Sequence, residues 1–274
     1  MHDCLIAFGS NEGNSNEVFE QAVKQVSEIP DVKLLATSKP LQTQPVGGPD
    51  DQNAYLNAAI RIQSNLEPAG LHRQLVRIET ELGRERRVRW GARKIDLDLL
   101  LCGVVEIQTK TLTLPHPRMS FRRFVIQPAN EIASDMVHAT SGQTIGQLLQ
   151  ALNQREDRVL LVSAEAEFVE HEKMILRLMP TGWKFEAVSQ LAVLNRYKDN
   201  AKKDIAKNDL AKLVCYVANP IDEAAPPSED SGREPDRLFQ AAVSFPGPTL
   251  RLDRDLKKSE IEVKAAFEAI VPFQ

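Results

Sequence analysis

The chain has 274 residues, 42% of them hydrophobic and 26% charged, with a formal net charge of −4 and a pI near 5.8. A mildly acidic chain is not built as a whole for nucleic acid or an anionic membrane, and no run approaches the roughly 18 apolar residues of a spanning helix. Three cysteines, Cys4, Cys102 and Cys215, lie far apart with no CxxC spacing. That pattern argues against a disulfide framework or a zinc site and suits a reducing cytoplasm. The N-terminus, "MHDCLIAFGSNEGN", turns polar after a short apolar run and does not read as a signal peptide.

In chain order, "CLIAFGSNEGN" reads as a buried strand ending in a loop, with Gly9-Ser10-Asn11 taken as a turn. A helix follows. Asn14 and Glu17 have capping-box spacing, Val18, Ala22, Val26 and Ile29 form its apolar face, and Pro30-Asp31 ends it. "VKLLATSK" is a second strand, "PLQTQPVGGPDDQN" a loop rich in Pro and Gly, and "AYLNAAIRIQS" a third strand. Pro68 opens a second helix, Leu71, Leu75, Ile78 and Leu82 share its inner face, and Gly83 closes it. "KIDLDLLLCG" is the fourth strand. The order β-α-β-β-α-β predicts an α+β fold, a ferredoxin-like antiparallel sheet with its helices on one side. Beyond Gly103, "TLTLPHPRMSFRRFVIQPANEIA" reads as a loop entering a helix, and "TIGQLLQAL" as a further short helix.

Residues 156–274 read as a second, smaller α/β domain, accessory to the domain over 1–155. Strands are expected at "RVLLVS", "MILRLM", "KLVCYV" and "AAVSF", and helices at "FEAVSQLAVLNRYKD" and "KSEIEVKAAFEAIV". Residues 219–237, rich in Pro, Ser and acid, read as a mobile loop. The region shows no metal-ligand cluster and no nucleophile–base set. His171, between Glu170 and Glu172, reads as solvated, and Trp183 as a packing anchor. A role in self-association, or in docking on the first half, is the reading that remains.

The chemistry concentrates in "GRERRVRWGARKIDLDLL", residues 83–100, where Arg84, Arg86, Arg87, Arg89, Arg93 and Lys94 precede Asp96 and Asp98. Residues two apart on a strand share a face, so the two carboxylates project together and repel unless solvent or a divalent cation offsets them. Mg²⁺ is held by one or two carboxylates plus phosphate oxygens and water, and arginine grips phosphate bidentately. The combination is what a metal–polyphosphate site needs. No GxxxxGK[ST] or GxGxxG run is present, so side chains rather than a glycine-rich loop must hold the phosphates. The rival class is an RNA-recognition module on the same kind of sheet. It lacks the required aromatic run, and aromatic residues are only 5% of the chain.

"AFGSNEGN", "YLNAAI", "RWGARKIDLDLLLCG" and "LTLPHPRMSFRRFVIQPANEIA" together resemble the 6-hydroxymethyl-7,8-dihydropterin pyrophosphokinase family over residues 1–155. The resemblance implies Mg²⁺-dependent transfer of pyrophosphate from ATP to the hydroxymethyl group of the pterin, releasing AMP, in folate biosynthesis. It implies two Mg²⁺ on Asp96 and Asp98, and Arg84 and Arg93 assisting the transfer. Glu79, Arg86, Arg89, Trp90, His116 and Arg122 would meet the nucleotide. Thr43, Pro45, Val46 and Asn57 would read the pterin edge, with Tyr55 and Phe124 stacked on its faces. The expected partners are these small molecules, with no nucleic acid and no membrane.

Overall fold

A computed structural model describes residues 1–46, 52–84, 92–154, 158–162, 169–188, 213–217, 249–252 and 255–270. Contacts divide the chain into one unit over Met1–Leu149 and another over Gln150–Ile270.

In the first unit, β1 (His2–Ser10) leads to α1 (Ser15–Ser27), where the side chain of Asn14 accepts the N–H of Glu17 at the helix start. Val18, Phe19, Ala22 and Val26 make its buried face. Next come β2 (Val32–Thr37), β3 (Leu41–Thr43) and β4 (Tyr55–Ser64). β3 lies inside the segment expected to be all loop. Its register, Leu41 opposite Asn57 and Thr43 opposite Tyr55, satisfies backbone groups that propensity alone would leave to solvent.

α2 (Pro68–Glu81) buries Leu71, Leu75 and Ile78. It ends in a Schellman motif: Gly83 (φ +86°) donates to Thr80 O at 3.1 Å and Arg84 N–H to Glu79 O at 2.9 Å. The motif sets Arg84 back over Glu79, which fixes one corner of the site below. β5 (Asp96–Cys102) then completes a sheet ordered β2-β4-β1-β5, antiparallel throughout, with β3 added to β4. A short hairpin of β6 (Ile107–Gln108) and β7 (Thr113–Leu114) precedes a 3₁₀ turn at Met119–Phe121, α3 (Arg123–Ala133) and α4 (Ile145–Gln154).

The two faces of the sheet are covered differently. Cys4, Ile6, Phe8, Ile60, Ile62, Leu97 and Leu99 pack with the apolar faces of α1 and α2. The alternate residues face the other way, and there Arg61 of β4 donates to Ile132 O at the end of α3 and pairs with Asp3 and Asp135. α3 packs on β4 and β1. The expectation of helices on one side is therefore corrected. Val125, Ile126, Ala129 and Ala133 form a third apolar helix face that needs cover, and the second face of the sheet provides it.

The second unit contains a parallel sheet ordered β11-β10-β8-β9, from β8 (Arg158–Val162), β9 (Lys184–Val188), β10 (Leu213–Val217) and β11 (Thr249–Leu252). Three expectations fail here. "MILRLM" belongs to a helix, α5 (Val169–Leu178), because His171, Met174, Ile175 and Leu178 recur at helical spacing and the first three are buried. His171 is therefore a buried residue rather than a solvated one. "FEAV" is strand instead of helix, since β9 pairs along its length with β8. Trp183 packs edge-on against Phe267 of α6 (Leu256–Ile270), centroids 5.3 Å apart, as a packing anchor should. The helix expected over 185–199 beyond Val188, the strand "AAVSF" and the loop at 219–237 lie outside the described residues. Among the described residues no helix is long and apolar enough to cross a membrane.

Gly83→Ala should cost about 1–2 kcal/mol, because a Cβ is disfavoured at that left-handed φ. Urea unfolding of the full chain checks it. Unchanged stability would remove the Schellman motif as the anchor of Arg84.

Candidate active site

One row of residues crosses the sheet. Gly9 on β1 stands opposite Asn57 on β4 and opposite Asp96 on β5. A Cβ built on Gly9 would lie 3.9 Å from Asn57 Oδ1 and 3.9 Å from Asp96 Cβ. All three positions therefore present the same face, and the missing side chain leaves a trough between amide and acid. Asn57 Nδ2 donates to Thr43 Oγ1 at 2.9 Å, so its amide orientation is held from β3. Tyr55, opposite Thr43, donates from its hydroxyl to Gln52 Oε1 at 3.3 Å. Burial first, then Asp96, raises the Tyr55 pKa against the opposing Arg93. Pro45 and Val46 follow β3, half-exposed.

Asp96 and Asp98 do share a face, with Leu97 and Leu99 turned into the core. Their mutual repulsion is offset by guanidinium groups. Arg84 donates to Asp96 Oδ1 at 2.7 Å, and Arg93 pairs with Asp96 Oδ2. Arg84 also pairs with Glu79, whose Oε1 accepts the N–H of Leu97 at 2.7 Å. Glu79 is 2% exposed, and burial pushes its pKa up to about 7 against the Leu97 hydrogen bond and Arg84. Burial, then Asp98, likewise raises Asp96, and Arg93 and Arg84 pull the other way. Asp96 thus holds a carboxylate whose charge is costly, and added positive charge would relieve it.

A β-bulge brings in the next segment. The register steps from Leu5–Leu101 to Ile6–Leu99, leaving Leu100 outside the ladder. The freed Leu100 carbonyl accepts the N–H of His116 at 2.9 Å. His116 Nδ1 accepts the N–H of Arg118 at 3.3 Å, so the neutral ring carries its proton on Nε2. Burial, Arg122 and Arg118 together lower the His116 pKa to about 3. The Arg122 guanidinium stands 5.7 Å from the centroid of the Phe124 ring, a cation–π contact joining two residues expected on different ligands. Arg86, Arg89 and Trp90 lie outside the described residues.

Asn11 is the residue that sequence reasoning passed over as part of a turn. Gly9 and Ser10 are strand, and Asn11 is buried. Its Oδ1 accepts the N–H of Arg93 at 2.7 Å, and its own N–H donates to Arg93 O at 3.0 Å. Its Nδ2 donates to Asn53 O at 3.2 Å and Gln52 Oε1 at 3.4 Å. One amide thereby ties the segment after β1 to the approach to β4 and to the backbone of Arg93. These partners lie 41, 42 and 82 residues away in sequence, which is why no local pattern signals them.

The donor set suits a hard divalent cation. Two carboxylates share a face, and no group of three or more His, Cys, Asp or Glu able to hold a metal occurs among the described residues. Remaining ligands would then come from phosphate and water, the usual arrangement for Mg²⁺.

An α+β sheet carrying paired carboxylates and guanidiniums on one face is suited to a metal–polyphosphate ligand. The model of the 7,8-dihydro-6-hydroxymethylpterin-pyrophosphokinase family matches residues 5–134. A 2-amino-4-hydroxy-6-hydroxymethyldihydropteridine pyrophosphokinase of Haemophilus influenzae is 44% identical over 150 residues, covering 55% of this chain and 92% of the relative. A protein of the same name from Bacillus subtilis is 42% identical over 140 residues, covering 51% of this chain and 83% of its own. One from Methylorubrum extorquens is 36% identical over 153 residues, with 56% and 95% covered. The chain belongs to the 7,8-dihydro-6-hydroxymethylpterin-pyrophosphokinase family.

Two outcomes follow from this geometry. A histidine held neutral costs nothing above its unfolded pKa near 6.5. As pH falls from there towards 3, the unfolded chain takes up a proton that the folded chain does not, so stability drops. His116→Asn should flatten part of that acid limb, read by urea unfolding from pH 7 to 4. An unchanged limb would reject the neutral imidazole. Asn11→Ala should speed hydrogen exchange at the Arg93 amide by about tenfold or more, since a lost buried partner costs roughly 1–3 kcal/mol. Unaltered protection would show that Asn11 does not hold that segment.

Proposed function

We propose that the chain catalyses transfer of pyrophosphate from ATP to the hydroxymethyl group of 6-hydroxymethyl-7,8-dihydropterin, giving AMP and the pterin pyrophosphate in folate biosynthesis. The observation that carries it is the row Asn57–Gly9–Asp96, an amide and an acid flanking a trough with no side chain between them. In the reaction, the pterin hydroxyl oxygen attacks the β-phosphorus and its proton passes to solvent, while the bond between that phosphorus and the α-phosphate oxygen breaks and AMP leaves with that oxygen. Asn57 offers the pterin edge an oriented amide, with Thr43 and the backbone at Pro45 and Val46 beside it. Tyr55 and Phe124 supply aromatic faces for the flat ring.

Asp96 and Asp98 would hold two Mg²⁺, which when bound neutralise charge on the β- and γ-phosphates. Arg84 and Arg93 sit on Asp96 already and would grip phosphate as the acids turn to metal. His116, neutral with its proton on Nε2, donates a hydrogen bond to phosphate, and Arg122 adds positive charge beside it. Glu79, expected to meet the nucleotide, is buried and would act on it through Arg84, which it anchors from beneath. Arg86, Arg89 and Trp90 are proposed to meet the nucleotide as well.

The strand order and two crossover helices support a ferredoxin-like reading of the sheet. The domain over 1–155 is taken as the working enzyme in the cytoplasm. Residues 156–274 are taken as an accessory domain, with self-association its proposed role.

AMP release from ATP and Mg²⁺, with and without the pterin, tests the reading on the full chain. Pterin-dependent AMP is expected, falling about 10³-fold or more in Asp96→Ala and Asp98→Ala. Full activity in either variant would overturn the metal role, and AMP independent of pterin would overturn the acceptor.

A further inference from the structure

Cys4 and Cys102 stand directly opposite each other on β1 and β5. The N–H of Gly103 donates to Asp3 O at 2.8 Å. That bond makes the Cys4–Cys102 position a non-hydrogen-bonded pair of the antiparallel ladder, where facing side chains approach most closely. Cα atoms at such a pair lie about 4.5 Å apart, inside the span a disulfide bridges. Both side chains turn to the core with no exposure, and their sulfur atoms are 2.7 Å apart. Both cysteines are free thiols, as is Cys215.

We propose that Cys4 and Cys102 form a modification site, a thiol pair that closes to a reversible cross-strand disulfide on reaction with a hydroperoxide. The Cys102 sulfur attacks an oxygen of the hydroperoxide, the O–O bond breaks, and water or an alcohol leaves with a sulfenic acid on Cys102. The Cys4 sulfur then attacks the Cys102 sulfur, the S–O bond breaks, and hydroxide leaves with the Cys4 proton as water. Two thiols have lost two electrons to one O–O bond. Cys102, at the end of β5 beside Gly103 and exposed Val104, meets the oxidant first and is the attacking sulfur, and Cys4, in hydrogen-bond contact with it, is the resolving one.

The location gives access. Cys102 ends β5, followed by Gly103 in the left-handed region (φ +56°) and by Val104, 78% exposed. Cys4 lies two residues into β1. Opening at these strand ends bares both thiols without disturbing the far end, where Asp96 stands opposite Gly9. Cys215 is fully buried, its pKa pushed up to about 12, and has no cysteine opposite it in its strand pairings.

The test treats the full chain with hydrogen peroxide, alkylates it in denaturant and maps the peptides by mass. One alkylated cysteine, Cys215, is expected, with a linked Cys4–Cys102 peptide pair that dithiothreitol releases. The oxidised chain should melt roughly 5 °C or more higher. Because a closed fold could shield the thiols, the reduced, denatured chain is also refolded in a glutathione redox buffer. The same link should form there in preference to either pairing with Cys215. Cys4→Ser should leave a sulfenic acid on Cys102 that dimedone traps. Three alkylated cysteines from both protocols, or separate sulfinic and sulfonic acids without a link, would overturn the proposal.

Discussion

The guanidinium of Arg84, held between Glu79 and Asp96, is the contact on which the site's frame rests. Glu79 belongs to α2 and Asp96 to β5, so one side chain joins the helix layer to the edge strand of the sheet. The Glu79 carboxylate also caps the Leu97 N–H, which fixes the height of β5 against α2. Breaking a buried pair of this kind is costly because it strands the remaining charge, even where the intact pair contributes little net stability. The arrangement therefore acts as a positional constraint. It holds Asp96 at a set place, and the cost of its burial is what keeps it poised for further positive charge.

The sheet does the rest through two irregularities. A residue without a side chain on the central strand, Gly9, opens a trough between Asn57 and Asp96. A bulge at Leu100 frees a carbonyl that draws in the backbone of His116. Neither feature adds apolar burial. Gly9 keeps both its ladder pairings and only withholds a side chain, whereas the bulge interrupts the ladder where a polar group arrives from a later part of the chain.

Much of this frame could be read before any coordinates. The caps at Asn14 and Gly83, the helical faces of α1 and α2 and the alternation of "DLDLLL" are local patterns, and local patterns carry through folding. What escaped notice depends on distant partners. β3 exists because β4 offers it a ladder, and β9 because β8 does, although "KFEAV" contains good helix formers. Asn11 looks like an ordinary turn residue until the Arg93 backbone meets it. The acid pair was legible, but its charge compensation was not. The sequence pattern suggested solvent or a cation, whereas Arg84 and Arg93 already provide it within the chain.

That compensation bears on how the proposed reaction would begin. Asp96 and the two arginines hold one another in partly dry surroundings. An Mg²⁺–polyphosphate complex brings matching opposite charges, a dication for the acid and an anion for the guanidiniums. Binding would then be an exchange of ion pairs, in which each buried charge passes from one partner to another without returning to water. Such an exchange avoids most of the desolvation cost that a bare pair of carboxylates and a bare set of arginines would each incur. Metal and phosphate would then arrive as a unit, since phosphate alone would leave Asp96, and metal alone would leave Arg93, without its counterpart.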